Sequence, residues 1–401
     1  LYVDRMNQYL VDDRIDKKNG YNGDRFSPYN YGDIVEVQPQ EDGTTKSAKH
    51  YVKGKYTPEL AVMMPDARTV YMSDDGTAKG LWIFVSDTKI ETFQENWSGT
   101  LYAAKVTLLL AENGGSFDLS WIALGHASDK EFKVMIERKM KLTDIFEITK
   151  PDEHGLCATG KKVYEDSQFE CLTLKPGQEK AAAFLESRKY AAYKGATIEF
   201  RKEEGITYDK ESNALYVAMS TIDKSMEDNY KGRESANHIR LEKNRCGAVY
   251  KITLDEHYSG TQMEAMVVGT PLRVGERYAD EWGCHPDNIA NPDNITYIGH
   301  NILLINEDTT QHVNNMSWAN NTQTKRLTRI ASLPIGGEVT GVDTAVVEDK
   351  GILLINVQHP FKDNPKAADG STPNSALIEN ASDAQLKATI GYFDGIPAEI
   401  F

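Results

Sequence analysis

The apolar residues of this chain come in short runs, each separated from the next by glycine, proline, asparagine or aspartate. Examples are GLWIFVSD, GAVYKITLD, NILLINED and GILLINV, which are rich in β-branched and aromatic side chains. Runs of this length and composition between turn residues are typical of β-strands. None of them approaches the roughly 18 consecutive apolar residues of a membrane-spanning helix. The pattern therefore predicts an all-β protein with no transmembrane segment.

Several of these strands come as couplets in which an acidic turn joins two apolar runs, as in MMPDARTVYMSDD followed by AKGLWIFVSD. Near-repeats in which a glycine leads an apolar or aromatic strand occur at Gly80–Ile83, Gly99–Tyr102 and Gly247–Tyr250. Loose repetition of short antiparallel strands favours a β-propeller over a sandwich. With roughly four strands per blade, a chain of this length accommodates about five or six blades. We therefore predict a single β-propeller domain over residues 1–401.

Two segments depart from the strand pattern and carry apolar residues at helical spacing. Residues 128–148 open with Ser128, a favourable N-cap, and residues 176–195 start with proline and end with glycine, as helices commonly do. We predict both segments as helical inserts packed against the propeller. Residues 362–385 are polar and rich in turn-forming residues, which predicts a long surface excursion.

The charge and the start of the sequence bear on partners and location. The formal net charge is −15, which argues against nucleic acid, because phosphates need a surface rich in lysine and arginine. Solubility alone would explain the acidity, but carboxylates that recur at strand ends favour cation binding.

The sequence begins at Leu1 with neither an initiator methionine nor a signal peptide. We expect a chain that is processed or incomplete at this end, which agrees with a secreted or periplasmic protein.

The four cysteines are Cys157, Cys171, Cys246 and Cys284. Their spacing contains no Cys-x-x-Cys pair, so a zinc site of that type is not expected. Cys157 and Cys171 are close enough in sequence to close a loop in an oxidising compartment. Four cysteines allow three pairings, and the sequence does not choose among them. Reduced, buried thiols are an open alternative.

Carboxylates recur where one predicted strand begins and the next one ends. The segment GGEVTGVDTAVVEDKGILLINVQHPF places Glu338 before one strand and His359 after the next. The segment NPDNITYIGHNILLINEDTT places Asp293 before one strand and Glu307 and Asp308 after the next. Such a pattern builds a site from neighbouring loops. His359 suits a metal ligand, a phosphate contact or a proton shuttle, although a lone histidine is also consistent with a structural role.

A third segment, ATIEFRKEEGITYDKESNALYVAMST, puts Glu203 and Glu204 before a glycine and a strand. Side chains alternate along a strand, so at most one of the two is expected to face inward. We favour Glu204, because the adjacent Gly205 lets the backbone bend close to an ion. Glu59 and the segment SDD flank the strand RTVYM in a similar way, although Asp-Asp-Gly also suits a plain turn. Taken alone, the segment with Glu203 and Glu204 is explained by a run of solvated charges.

Clustered carboxylates at strand ends suit a hard cation such as Ca²⁺, which takes six to eight oxygen ligands. The sequence lacks G-x-x-x-x-G-K-[ST], G-x-G-x-x-G, H-E-x-x-H and G-x-S-x-G. These absences remove the commonest nucleotide-binding, zinc-protease and α/β-hydrolase interpretations. A site that binds metal through oxygen ligands is the hypothesis that remains.

A series of blocks follows one another along most of the chain: YGDIVEVQP, YTPELAVMMPDARTVYMSDD, GLWIFV, GTLYAAK, EFRKEEGI, NPDNI, LLINEDT, GGEVTG and LLINVQHP. In this order they resemble the PhoX-type alkaline phosphatases, which are secreted bacterial enzymes with a β-propeller fold. The EFRKEEG block and the final block are the most specific. The blocks GTLY and PDN are weak when taken alone.

The resemblance implies a hydrolase of small phosphate monoesters whose site holds calcium and ferric iron at the propeller centre. Metal ions in such a site polarise phosphoryl oxygens and stabilise the charge of the transferring group. By resemblance, His359 is a catalytic residue that contacts phosphate or supports a metal ligand. The metal ligands are carried over to Glu204 and Glu338 most directly, and then to Glu59, Asp293, Glu307 and Asp308.

Two departures from the family pattern bear on iron and leave other functions open. A family segment of the form Thr-Trp-Leu-x-Cys-Glu-Glu, whose cysteine ligates iron, has no counterpart in this sequence. Pro58 stands where the family has a histidine.

The main alternative to a phosphatase is a non-catalytic, calcium-binding propeller that acts as a surface or assembly protein. A further alternative is a propeller hydrolase for another substrate, such as a lactone, because loops rather than folds decide the substrate.

Overall fold

A computed structural model of the chain describes residues 27–165, 168–232 and 237–397. Residues 1–26 of the domain predicted over residues 1–401 lie outside the described residues. Strands dominate the part of the chain that is described. Up to residue 174 they are β1 (Ile34–Pro39), β2 (Thr45–His50), β3 (Pro58–Met63), β4 (Thr69–Asp74), β5 (Thr77–Lys79), β6 (Trp82–Ser86), β7 (Ser98–Leu110), β8 (Ser116–Ser128), β9 (Phe146–Thr149), β10 (Lys161–Glu165) and β11 (Gln168–Leu174).

The second part of the chain continues as antiparallel meanders joined by short turns. Glycine, asparagine and aspartate supply most of these turns, as expected from their tolerance of turn conformations. After residue 174 the strands are β12 (Phe200–Arg201), β13 (Glu203–Asp209), β14 (Ala214–Met219), β15 (Ala248–Leu254), β16 (Gly260–Val268), β17 (Pro292–Tyr297), β18 (Ile302–Glu307), β19 (Asn314–Asn321), β20 (Leu327–Ile335), β21 (Glu338–Val347), β22 (Lys350–Gln358) and β23 (Thr389–Pro397).

These strands form blade-like antiparallel units that follow one another along the chain. The first blade contains β3, β4, β6 and β7, the second β13 to β16, the third β17 to β20 and the fourth β21 to β23. The innermost strands β3, β13, β17 and β21 are neighbours in that order. Strand β8 pairs with both β7 and β16, which joins the first two blades into one nine-stranded sheet. That sheet curls so far that its two end strands, β3 and β13, lie side by side.

The all-β class predicted from the sequence is confirmed by this arrangement. Within residues 27–165, 168–232 and 237–397 the number of blades is four, against the five or six predicted from length. The difference has a physical origin in the elements between the blades. Strands β7 and β8 have 13 residues each, and a small sheet of β9, β10 and β11 with adjoining helices uses further length without adding a blade.

Burial along the strands follows their position between blades. All six residues of β4 and of β14 are buried, because neighbouring elements cover both faces of these strands. Strand β22 instead alternates between buried and less buried residues, as expected for a strand with one covered face. Its buried face carries Leu353 and Ile355, which pack with Leu304 of the third blade. The blades are therefore held together by side-chain packing between their faces.

Short helices interrupt the strands in the two regions where the sequence has helical spacing. The first of them starts with a capping box, in which the Ser128 N–H donates to Glu131 Oε2 at 2.8 Å. The ring centroids of Phe132 and Phe184, one from each region, are 4.8 Å apart, so the two regions pack together. Among the described residues, the α-helices of these two regions are α1 (Asp129–Glu137), α2 (Leu142–Ile145), α3 (Glu179–Leu185) and α4 (Ser187–Lys194), and α5 (Ser375–Glu379) lies in the excursion.

The polar excursion over residues 362–385 is anchored at its start and contains α5. The Lys366 N–H donates to the Thr310 carbonyl at 2.6 Å, and the Ala368 N–H donates to the Ala279 carbonyl at 2.8 Å. Ala367, between them, is buried. The excursion therefore begins against the loops of the third blade, next to the end of β22.

The four cysteines form two disulfides, Cys157–Cys171 and Cys246–Cys284. This settles the pairing that the sequence left open and excludes the reduced alternative. Disulfides are typical of proteins that meet an oxidising environment. No helix in the described part of the chain is long and apolar enough to cross a membrane.

Candidate metal centre

Each of the four inner strands begins with a carboxylate at its first or second residue. Glu59 is the second residue of β3, Glu204 of β13 and Asp293 of β17, and Glu338 is the first residue of β21. The inner strands are neighbours, so side chains at these equivalent positions converge on one end of the molecule. The recurrence seen in the sequence thus has a structural cause, because each blade contributes the same position to a shared site.

The second strand of each blade returns to the same end. In the register of the hairpins, Pro58 lies opposite Asp74, and Glu338 lies opposite Gln358. The residue that follows the second strand is therefore also delivered to the site. Asp75 arrives in this way after β4, as do Asp308 after β18 and His359 after β22.

The carboxylates form two groups, which we name by position. The first triad is Glu59, Asp75 and Glu204, and one oxygen from each lies within 4.8 Å of the others. The second triad is Asp293, Asp308 and Glu338, which meets the same distance limit. Three carboxylates at this separation repel one another unless protons or cations compensate. Each triad therefore has the donor set that a hard cation requires.

Burial, together with the neighbouring carboxylates, makes these groups weaker acids than ordinary carboxyl groups. Burial is the largest cause that raises the pKa of Glu204 to about 7, with Asp75 and Glu59 adding to it. Burial also raises the pKa of Asp293 to about 8, with the charges of Glu204, Asp308 and Glu338 adding to it. Values of pKa this far above normal mean that the surrounding groups do not fully compensate the negative charge of the ionised carboxylates.

One oxygen gives independent evidence that the first triad lacks a partner. Asp75 Oδ1 is buried and has no hydrogen-bond partner among the described residues. A buried carboxylate oxygen without a donor is unfavourable in a folded protein. A bound cation next to the first triad would satisfy it.

Lys202 supplies an ammonium group to the site, and the sequence analysis did not identify this residue. Its Nζ is 2.6 Å from Glu204 Oε1. Burial raises the pKa of Glu59, Asp293 and Glu338, and the charge of Lys202 opposes that rise in all three. The lysine therefore acts electrostatically on both triads. Burial by itself disfavours the ammonium, but the surrounding carboxylates more than compensate and raise the pKa of Lys202.

The backbone at Lys202 adopts a left-handed conformation with φ 49°. The Lys202 N–H donates to the Gly76 carbonyl at 2.8 Å, and its carbonyl accepts from the Ser220 N–H at 3.1 Å. These bonds hold a conformation that is unfavourable for a side chain bearing a Cβ. The only sequence signal was the position of Lys202, two residues before Glu204 in RKEE.

Two pairs of acidic residues are adjacent in sequence, and in each pair only the second residue belongs to the first triad. Glu204 joins the first triad, whereas Glu203 is fully buried on the other side, where its Oε2 accepts from the Asp74 N–H at 3.3 Å. Asp75 joins the first triad, whereas Asp74 accepts from the Thr57 N–H at 2.9 Å. Asp75 was absent from the ligands predicted by resemblance, because its Asp-Asp-Gly context also suited a turn.

Glu307 does not reach either triad, although the sequence suggested it as a metal ligand. It is fully buried, and its Oε1 accepts from the Ala290 N–H at 3.0 Å and from Trp318 Nε1 at 2.7 Å. Its Oε2 accepts from the Met316 N–H at 3.0 Å and lies 3.0 Å from His312 Nδ1. Strand alternation sends Glu307 into the blade and Asp308 toward the site, so this residue is a structural hydrogen-bond acceptor.

His359 lies at the edge of the second triad. Its Nε2 is 3.0 Å from Glu338 Oε2, and its Nδ1 is 3.7 Å from Asp363 Oδ2. The backbone of His359 has φ 35°, a conformation that directs the chain from β22 into the excursion. The imidazole is thus placed between a triad carboxylate and a carboxylate of the excursion.

A sequence model described as "Alkaline phosphatase PhoX" matches residues 4–361 of the chain. The chain belongs to the PhoX alkaline phosphatase family. This confirms the resemblance drawn from the sequence blocks. No curated protein matches the chain by sequence similarity.

Among solved structures, the chain is similar to Pseudomonas fluorescens PhoX in complex with vanadate, a transition state analogue. The identity is 19%, the TM-score is 0.60, and the match covers 98% of this chain and 61% of that one. The chain therefore spans less than two thirds of that PhoX chain, and the likeness supports the fold, a β-propeller. A GH43_1 enzyme from Xanthomonas citri complexed with xylotriose also matches, with 11% identity over 92% of this chain and 91% of that one. Its TM-score of 0.26 is too low to support an inference.

Proposed function

We propose that this protein is a metal-dependent alkaline phosphatase that hydrolyses small phosphate monoesters. The observation that carries the proposal is the pair of carboxylate triads, with Lys202 acting on both, where the four inner strands begin. Membership of the PhoX family supports the type of reaction. We also propose that residues 1–401 act as one propeller domain, with the helices and the excursion as inserts. The disulfides support an exported protein, and we propose a periplasmic or secreted location.

The donors present fit calcium well. All six triad side chains offer oxygen, the ligand type that calcium prefers, and the buried Asp75 Oδ1 lacks a partner among the described residues. The four cysteines of this sequence offer iron no thiolate, because Cys157–Cys171 and Cys246–Cys284 are disulfides. We propose calcium in both triads and iron as a further metal. When bound, these ions would neutralise and polarise phosphoryl oxygens.

Lys202 is proposed to bind the phosphoryl group. Phosphoryl transfer places negative charge on the non-bridging oxygens, and fixed positive groups stabilise that charge. Two hydrogen bonds hold the backbone of Lys202, and the contact of its Nζ with Glu204 Oε1 at 2.6 Å places the ammonium at the site. A cation that took over Glu204 would leave the Lys202 Nζ available to a phosphoryl oxygen.

His359 is proposed as the catalytic residue beside the second triad. Its Nε2 contacts Glu338, and its Nδ1 faces Asp363. A histidine held in this way can donate to a phosphate or leaving-group oxygen. Asp363 is proposed as a positioning residue, because it contacts the imidazole and belongs to the anchored excursion.

A second function is favoured by one observation, the absence of a cysteine ligand for iron among the four cysteines. In this alternative, the chain is a calcium-binding propeller without catalysis and acts as a surface or assembly protein. The two functions share the triads and differ in turnover. Calcium content without phosphatase activity would favour the alternative.

The deciding experiment combines elemental analysis for calcium and iron with hydrolysis of p-nitrophenyl phosphate by the same sample. We expect bound calcium and turnover in the wild type, and loss of both in Glu204→Gln and Glu338→Gln. Glu256→Gln, a change at an exposed side chain in the turn between β15 and β16, is the matched control. A wild-type protein that binds no metal, or that releases no phosphate when metal is bound, would contradict the proposed activity.

A further inference from the structure

The β1–β2 hairpin covers part of the first blade and leaves a groove of about 450 Å³ beside it. Met63 ends β3 and lies opposite Val70 near the start of β4, so the groove lies at this end of the β3–β4 hairpin. Glu59 lies at the opposite end of β3. The groove is therefore separate from the triads. Its apolar lining consists of Ile34, Val35, Val37, Pro39, Ala61, Met63, Val70, Ile90, Phe93 and Trp97.

A single lysine faces this apolar groove. Lys53 lines it and is 4% exposed, and its Nζ lies 3.9 Å from the centroid of the Trp97 ring. Within the described ranges, no hydrogen-bond acceptor and no carboxylate within 4.0 Å is found for this ammonium. A charged group this buried normally has a hydrogen-bonded partner. The contact with the Trp97 ring compensates only one side of it.

The chain is built to hold Lys53 in this position. Gly54 follows it with φ 91°, and a Cβ at that position would come within 2.8 Å of side-chain atoms of Leu101 and Ser187. The Val52 N–H donates to Asp129 Oδ1 at 3.0 Å. The turn that contains Lys53 is therefore fixed at both sides and directs the lysine inward.

The nearest carboxylates are already engaged by other donors. Glu36 Oε2 lies 3.0 Å from His50 Nε2, and Asp129 Oδ2 lies 2.8 Å from His50 Nδ1 and also accepts from the Trp97 N–H. Burial lowers the pKa of Lys53 to about 8, although Asp129 and Glu36 act in the opposite direction. The ammonium thus remains under-compensated with both carboxylates present. The other acidic residue that lines the groove, Glu91, is exposed at its rim.

We propose that this groove binds an apolar monocarboxylate, with its carboxylate on Lys53 and its alkyl chain against Trp97 and Met63. The lining contains one ammonium, Lys53, and two carboxylates, of which Glu36 is engaged by His50 and Glu91 is exposed at the rim. Only Lys53 is left to receive an anion, so a single carboxylate fits the groove and the dianion of a phosphate ester does not. The lining is apolar and suits an alkyl chain. Val35 and Val37, about half exposed at the mouth, would be covered by the ligand. The site is independent of the proposed phosphatase activity.

The test is calorimetric titration of the full chain with sodium octanoate, compared with octan-1-ol and octylammonium. A charge-assisted hydrogen bond to Lys53 should make octanoate bind about tenfold more tightly than octan-1-ol. Octylammonium should bind more weakly still, because it brings a second positive charge to Lys53. Equal affinity for octanoate and octan-1-ol, or no binding of octanoate at roughly 5 mM, would overturn the proposal.

Variants locate the site. Lys53→Met keeps the length of the side chain and removes the ammonium, so octanoate affinity should fall about tenfold while octan-1-ol affinity is retained. Val37→Asp changes an exposed residue at the mouth and should weaken octanoate by repulsion without disturbing the core. Lys130→Met, outside the groove, is the matched control and should bind as wild type. Octanoate binding that is unchanged in Val37→Asp and in a folded Lys53→Met protein would show that the ligand binds elsewhere.

Discussion

At the scale of the residue, one glycine decides how closely the two triads approach. A Cβ at Gly205 would lie 2.3 Å from the Asp293 carbonyl oxygen, a distance that real Cβ atoms do not adopt. Gly205 directly follows Glu204, and Asp293 belongs to the second triad. The absence of a side chain at this one position therefore lets β13 and β17 come together with their carboxylates.

Gly205→Ala is expected to separate the triads and to destabilise the protein by about 1–3 kcal/mol, because the methyl group has to displace backbone. Calcium content and phosphatase turnover should fall together. Urea unfolding and elemental analysis of the same sample measure both effects. Gly391→Ala is the matched control, since its nearest neighbour would be 4.0 Å away. A variant with normal stability and normal calcium content would show that the close approach is not needed.

Lys202→Met is expected to separate substrate binding from metal binding. Removal of a fixed positive group that faces the transferring phosphoryl should lower kcat by about 100-fold. Calcium binding should be retained or strengthened, because Glu204 loses its competing partner. Calcium titration and steady-state kinetics provide the two measurements, with the exposed Lys210→Met as control. Wild-type turnover in Lys202→Met would remove this residue from the proposed mechanism.

Residue-level reasoning from the sequence was limited by the direction of side chains. It identified Glu204 and Asp308 at positions that reach the triads, because strand ends and an adjacent glycine are visible in sequence. It missed Asp75 and Lys202, which depend on how turns and left-handed backbone orient single residues. It included Glu307, since nothing in Glu-Asp at a strand end tells which of the two faces the blade.

At the scale of the element, the disulfide Cys246–Cys284 fixes the approach to the third blade. The Asn291 N–H donates to the Cys246 carbonyl at 2.9 Å, and Asp293 follows two residues later. The bond therefore steadies the strand start that contributes to the second triad. Cys157–Cys171 instead joins a turn to the small sheet of β9, β10 and β11, away from both triads.

A double change of Cys246 and Cys284 to serine is expected to cost about 2–4 kcal/mol of unfolding free energy and to weaken calcium binding. The same double change at Cys157 and Cys171 is the control, because it removes an equivalent bond at a distance from the triads. Chemical unfolding and calcium titration distinguish them. Equal losses of calcium affinity in the two variants would mean that the effect is general destabilisation.

Elements were easier to predict than their partners. Periodicity located the helical regions and most strands, because both depend on local spacing of apolar residues. It did not show that residues 176–195 contain two short helices that meet at Glu186. Nor did it show that β8 crosses from the first blade to the second, because pairing between distant strands leaves no local pattern.

At the scale of the whole molecule, the convergence of charge makes stability depend on pH. The pKa of Glu204 is raised to about 7 and that of Asp293 to about 8, first of all by burial. In the unfolded chain both groups titrate near pH 4. A carboxyl group whose pKa is raised in the folded state makes its full contribution to stability at pH values below its unfolded pKa. That contribution is lost as the pH rises through the folded pKa.

The melting temperature of the metal-free protein is therefore expected to fall by several degrees between about pH 5 and pH 9. Calcium should remove most of this slope, because it replaces the protons. Differential scanning fluorimetry with EDTA or calcium gives the comparison. Asp293→Asn should flatten the metal-free profile. A metal-free protein that becomes more stable toward pH 9 would contradict the argument.

The curled nine-stranded sheet has a consequence for how the molecule opens. Main-chain hydrogen bonds run without a break from β3 to β13 through β8, whereas the third and fourth blades are separate sheets. Amide protons of the first two blades should therefore exchange with solvent more slowly than those of the fourth. The first triad lies where that continuous sheet meets itself, and the second lies between separate sheets. Local opening should release an ion from the second triad first, so the molecule passes through a half-loaded state before it unfolds.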